Sequence, residues 1–188
     1  VELSNLNIKN DLCISLGANI DSKFGNPIDT LILCRTALED NIKSWIKEFP
    51  NYQNDVAFIS KDIFQWSSLY ETDPYEVSSN QPNYINTLLV INSGLLAKPS
   101  IKKAKSLLNK LKQLEVNFGR NKKEKDQRWI SRCLDLDIIW WNDLYINDKE
   151  LTLPHPRFMK RNFVISPLAE VLSRRQTVKK LNHPKWVV

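Results

Sequence analysis

The sequence predicts an α+β sandwich, a mainly antiparallel sheet carrying two long helices, on three observations. Two stretches repeat apolar residues at helical spacing, one opening at Asn26-Pro27 and one spanning residues 100–119. Short apolar or aromatic runs bounded by turn residues lie before, between and after them and read as strands. In chain order these pieces alternate as β-α-β-β-α-β, a plan in which both helices pack on one sheet.

The first strand is expected over residues 12–16, an apolar run ending at Gly17-Ala18-Asn19. A helix follows, with Asn26 as N-cap and Pro27 at its first position. Its apolar face is drawn from Ile28, Leu31, Ile32, Ala37, Leu38, Ile46 and Phe49, and Pro50 closes it. Residues 56–70, rich in Phe, Ile, Trp and Tyr, suit one or two strands, and Thr72-Asp73-Pro74 opens a polar loop reaching Gln81-Pro82. Residues 84–93 form the next strand. The second long helix sets Ile101, Ala104, Leu107, Leu108, Leu111, Leu114 and Phe118 on one face and stops at Gly119.

After a basic loop, residues 134–141 read as a strand, and Asn142-Asp143 turns into an added edge strand at 144–146. Leu153-Pro154-His155-Pro156 is a rigid extended segment. A short helical segment is expected over 167–172, and 173–188 is expected to be a loosely held basic tail. The order matches a ferredoxin-like βαββαβ sandwich filling a single domain over residues 1–188.

With 188 residues, 42% hydrophobic and 26% charged, the chain has the makeup of one globular domain able to bury a core. It shows neither a leader-like start nor an apolar run long enough for a membrane span, so a cytoplasmic protein is expected, acting away from membranes. Cys13, Cys34 and Cys133 have no CxxC spacing and read as buried reduced thiols. The net charge of +6 is uneven. Arg120, Lys122, Lys123, Lys125, Arg128 and Arg132 face only Glu124 and Asp126 within residues 119–132, and Arg174, Arg175, Lys179, Lys180 and Lys185 form a second cluster. Such fields favour anionic partners.

The first cluster runs directly into Asp135-Leu136-Asp137. In a strand both carboxylates share a face, about 7 Å apart, with Leu134, Leu136 and Ile138 on the other. Aspartate is depleted in strands, so two in one apolar run ask for a reason. Divalent cations take carboxylate oxygens, and guanidinium groups grip phosphate; the stretch combines both.

Several ordered pieces resemble the 6-hydroxymethyl-7,8-dihydropterin pyrophosphokinase family of folate biosynthesis over residues 11–172. They are Ser15-Leu16-Gly17-Ala18-Asn19, Ser68-Leu69-Tyr70-Glu71-Thr72, Gln81-Pro82-Asn83-Tyr84-Ile85-Asn86, Glu115 with Gly119-Arg120, Arg128-Trp129 through Asp137, and Pro154-His155-Pro156 through Arg161-Asn162-Phe163. The chain departs from the usual family pattern at Ala18, Asp73, Tyr75 and Ile130-Ser131.

The resemblance implies transfer of diphosphate from ATP, the co-substrate, to the hydroxymethyl group of a reduced pterin, with release of AMP. It implies Asp135 and Asp137 as ligands of two Mg²⁺ ions, and Arg120 and Arg132 as further catalytic residues on the phosphates. Glu115, Lys122, Arg128, Trp129, Ile138, Leu151, Thr152, His155 and Arg161 complete the implied ATP site. Thr72, Asp73, Tyr75, Tyr84, Asn86, Phe163 and Trp129 form the implied pterin site, with Trp129 on a loop, residues 119–131, that closes when ATP binds. A monomer with no nucleic-acid partner is expected. An RNA-binding module shares the topology, but the chain lacks that module's basic-glycine-aromatic run, and the aspartate pair would repel a phosphate backbone. A metal-dependent glycosyltransferase also uses Asp-x-Asp and is opposed only by the neighbouring motifs.

Overall fold

The structure, a computed structural model, describes residues 11–49, 63–74, 81–92, 96, 98–120 and 131–175. Strand β1 (Asp11–Ala18) is the centre of the sheet and is followed by helix α1 (Pro27–Lys47). The Asn26 Oδ1 accepts from the backbone N–H groups of Ile28 and Asp29, capping donors that α1 itself leaves unpaired. Strands β2 (Phe64–Trp66) and β3 (Tyr70–Thr72) pair in succession with β4 (Tyr84–Asn92), so together they fill one strand position. Helix α2 (Ile101–Asn117) starts at Ser100, whose hydroxyl accepts from Lys103 N–H, and β5 (Asp135–Trp141) returns along β1. The sheet order is β2-β4-β1-β5, with β3 also on β4, and every pairing is antiparallel. This is the α+β, ferredoxin-like arrangement that the residue pattern predicts.

Hydrophobic burial is lopsided. The larger core joins Leu12, Ile14 and Leu16 of β1, Leu136 and Ile138 of β5, and the inner faces of α1 and α2. In α1 that face is Leu31, Cys34, Leu38, Ile42, Trp45 and Ile46. Ile28 and Ile32, assigned to it from sequence, point outward, because the stripe that meets the sheet begins one position away from them.

A smaller core on the opposite sheet face joins Cys13, Leu88, Val90, Ile139 and Trp140 to Phe158 and to helix α3 (Asn162–Arg175). Ile139 and Trp140 both face that side because the β1–β5 register shifts between Cys13 and Ile14, so one residue of β5 bulges.

Helix α3 corrects the sequence reading of a short segment at 167–172. Pro167 lies inside it and forfeits one backbone hydrogen bond. Burial of Val164, Pro167, Leu168 and Val171 carries the helix through. Arg174 and Arg175, expected in a loose tail, are helical and fixed. Arg174 donates to Trp66 O, and Arg175 pairs with the nearly buried Asp11 carboxylate at 2.5 Å. The added edge at 144–146 is instead a separate hairpin of β6 (Ile146–Asn147) and β7 (Thr152–Leu153). Among the described residues, no helix is long and apolar enough to cross a membrane.

Candidate active site

Helix α3 covers only half of its sheet face. The covered row, read across β4, β1 and β5, is Val90-Cys13-Trp140; the next rows are Leu88-Ser15-Asp137 and Asn86-Gly17-Asp135. Polar residues begin where the covering helix stops. Above them opens a cavity of about 640 Å³ lined by Ser15, Gly17, Thr72, Asp73, Gln81, Tyr84, Asn86, Arg132, Asp135, Asp137, Glu150, His155, Arg157, Arg161 and Phe163, with Leu16 at its edge.

One end is aromatic and amide-bearing. Tyr84 and Phe163 line it, the Phe163 ring meeting the Arg161 guanidinium of the ionic end at 5.3 Å, and Asn86, almost fully buried, donates from Nδ2 to Thr72 Oγ1 at 2.8 Å. Flat heteroaromatic rings suit such faces, and an amide offers both a donor and an acceptor.

The other end is ionic. Arg132 Nη1 lies 2.5 Å and Arg120 Nη1 3.1 Å from the same oxygen, Asp135 Oδ1, while Arg161 Nη1 lies 3.7 Å from Asp137 Oδ2. The Asp137 side chain keeps 41% of its surface open to the cavity but is deeply recessed. That placement, with the Asp135 charge beside it, pushes its carboxyl up to about 6 against the pull of Arg161, Arg132 and Arg120.

His155 is carried in by its own backbone, whose N–H donates to the carbonyl of the bulged Ile139 at 2.7 Å. Desolvation, then the charges of Arg161 and Arg157, holds the His155 ring down at about 4, so it is neutral at pH 7. Its Nδ1 lies 3.3 Å from Arg157 N and its Nε2 3.5 Å from Arg161 Nη1, and the ring tautomer decides which of the two nitrogens accepts.

Several residues singled out from sequence lie elsewhere. Ile138 is in the helix-side core because alternation turns it away from Asp137, and Leu151 is packed in the same core. Thr152 is half-buried in β7. Glu115 is buried behind the edge of β5, where Oε1 accepts from Leu136 N–H at 2.8 Å and pairs with Arg120 at 2.5 Å. Burial and then Asp135 push Glu115 up to about 7, opposed by Arg120 and the Leu136 N–H. Arg120 does not line the cavity; its ion pair with Asp135 ties it to the site. Tyr75, Lys122, Arg128 and Trp129, with most of the expected closing loop, lie outside the described residues.

The structure also adds residues. Asn19 is 2% exposed, and its side chain accepts from Arg132 N–H at 2.7 Å and donates to Pro82 O and Ser131 Oγ. Its backbone N–H donates to Arg132 O, so Asn19 fastens the arginine segment to the end of β1. Ser15 and Gly17 follow from strand alternation once one face of β1 is known to be open. Glu150 and Arg157 carry no local sequence signal.

Among the described residues, no three His, Cys, Asp or Glu side chains converge as a metal cage. Two recessed carboxylates balanced by guanidiniums fit a hard cation completed by phosphate oxygens and water, as Mg²⁺ commonly is.

Fold and site define a class: an α+β domain whose open sheet face carries a polar cavity lined by carboxylates, guanidiniums, a buried amide and aromatic rings. The 7,8-dihydro-6-hydroxymethylpterin-pyrophosphokinase family model matches residues 13–173, and the chain belongs to that family. It is 38% identical over 107 residues to a Bacillus subtilis 2-amino-4-hydroxy-6-hydroxymethyldihydropteridine pyrophosphokinase, covering 56% of each chain. A Haemophilus influenzae protein of the same name is 29% identical over 76% of this chain and 83% of its own. A folate synthesis bifunctional protein of Arabidopsis thaliana is 32% identical over 72% of this chain and 26% of its own length. The chain thus spans little more than half of the first of these relatives.

Proposed function

We propose that the chain transfers diphosphate from ATP to 6-hydroxymethyl-7,8-dihydropterin, releasing AMP, as a cytoplasmic monomer that needs Mg²⁺ and no nucleic acid. One observation carries this reading: the aromatic and amide end and the carboxylate and guanidinium end are a single cavity, joined across one row of the sheet. Family membership supports the same chemistry.

Tyr84 and Phe163 hold the pterin faces, and Asn86 reads its amide edge. Arg132, Arg161 and His155 receive phosphate oxygens, and Arg120 steadies Asp135. The pterin hydroxymethyl oxygen bonds to the β-phosphorus of ATP, the bond from that phosphorus to the α–β bridging oxygen breaks, AMP leaves, and the hydroxyl proton is lost to water. Two Mg²⁺ ions held by Asp135 and Asp137 with the phosphates would neutralise charge and favour the deprotonated hydroxyl. The protein's own share is alignment and fixed charge, with no covalent nucleophile.

Asp135→Asn and Asp137→Asn keep shape while removing charge. Each should lose several kcal/mol of transition-state stabilisation, roughly a thousandfold in AMP release. Calorimetric Mg²⁺ binding with a nonhydrolysable ATP analogue should weaken in parallel while Tm holds. Near-normal turnover in both variants would sink the assignment.

A further inference from the structure

Gly17 stands midway in the row that joins the two ends of the cavity, opposite Asn86 on β4 and Asp135 on β5. Neighbouring strands are about 4.8 Å apart, so the flanking backbones are roughly 10 Å from each other with Gly17 between them. Glycine weakens a strand interior, and its presence there marks a bulge or a close approach. Gly17 needs no unusual backbone: Gly25 and Gly119 have positive φ, and Gly17 does not. Nor does the open face exclude side chains, since Ser15, two residues along it, carries one into the same cavity.

What forbids a side chain is Asn86. A Cβ on Gly17 would lie 2.9 Å from Asn86 Oδ1 and 3.7 Å from Tyr84 Cδ1. The first distance is inside van der Waals contact. The Asn86 amide cannot simply swing aside, because it is almost fully buried and tied through Nδ2 to Thr72 Oγ1.

We propose that Gly17 is a specificity-determining residue: its missing side chain leaves Asn86 aimed at the pterin edge and leaves a bare floor across which the hydroxymethyl arm reaches Asp135 and Asp137. The role rests on the proposed function and adds to it the point where the two half-sites meet. A methyl group at Gly17 acts on the pterin half alone, since the phosphate-facing residues Arg132, His155 and Arg161 are not in contact with the added atom.

The test is a double-mutant cycle on the full chain with wild type, Gly17→Ala, Asn86→Ala and the double variant. Each is measured for Tm, for affinity to a nonhydrolysable ATP analogue, and for affinity to 6-hydroxymethyl-7,8-dihydropterin with the analogue present. Gly17→Ala should leave analogue affinity within about twofold and weaken pterin binding at least tenfold. In the Asn86→Ala background the same change should alter pterin binding less than twofold, because no amide remains to be displaced.

Equal losses in both backgrounds, or a Gly17→Ala protein that binds pterin normally, overturn the role. If Gly17→Ala fails to fold and the double variant folds, the clash with Asn86 is upheld; if neither folds, Gly17 is needed for packing and the role is overturned. Wild-type protein that binds no pterin overturns the proposed function and this role together, whereas wild-type binding with an indifferent Gly17→Ala overturns this role alone.

Discussion

At the scale of residues, the site depends on side chains that hold other side chains. Asn19 makes three side-chain hydrogen bonds from a buried position and links the ends of two loops to β1. Asn19→Ala should cost about 2–4 kcal/mol, lowering Tm by roughly 5–10 °C, and should reduce turnover because Arg132 is released. Calorimetry and AMP release check both; an unchanged Tm would contradict the role. His155 offers a pH test. Its folded pKa of about 4 lies below the ordinary value of 6.5, so as pH falls through that window the unfolded chain takes up a proton that the native ring refuses. The native state should therefore lose stability between pH 6.5 and 4, and His155→Asn should remove that part of the loss. Urea midpoints measured across the window would read it, and identical profiles would rule it out.

At the scale of elements, α3 decides where the cavity begins, and its C-terminal arginines decide where α3 sits. Arg175 pairs with Asp11, whose side chain is 4% exposed, and Arg174 bonds to Trp66 O and to Glu170. Removing Arg175 strands the Asp11 charge in the protein. Arg175→Ala should cost about 2–3 kcal/mol, less than a fully buried pair because the arginine is partly exposed. It should also raise the pterin KM, since α3 carries Phe163 on the cavity wall; a stable variant with normal KM would detach the helix anchor from the site.

This element is also where the sequence is hardest to read. Pro167 signals a helix start, and only the long-range packing of Val164, Leu168 and Val171 reveals a helix on both sides of it. By contrast α2 is legible almost to the residue, because its cap, its apolar repeat and its Gly119 stop are all local. Asp135 and Asp137 are legible for the same reason, period two in an apolar run. Asn19 is not, because its meaning lies in a contact with Arg132, 113 residues away. Glu150 and Arg157 arrive on segments whose path is set by tertiary contacts such as His155 N–H to Ile139 O.

At the scale of the whole molecule, one sheet serves two purposes on a single face. Its covered half is a small apolar core with Trp140 at 0% exposure, and its open half is the cavity. The larger core on the far side, with α1 and α2, holds the sheet rigid enough for side chains in three strands to keep their spacing. The proposed transfer of a diphosphate from a nucleotide to a pterin would need such a rigid floor. The most direct measurement is ³¹P NMR of the folded protein mixed with Mg²⁺, ATP and 6-hydroxymethyl-7,8-dihydropterin. AMP and pterin diphosphate should form one for one. ADP in place of AMP, or intact ATP in the presence of folded protein, would contradict it.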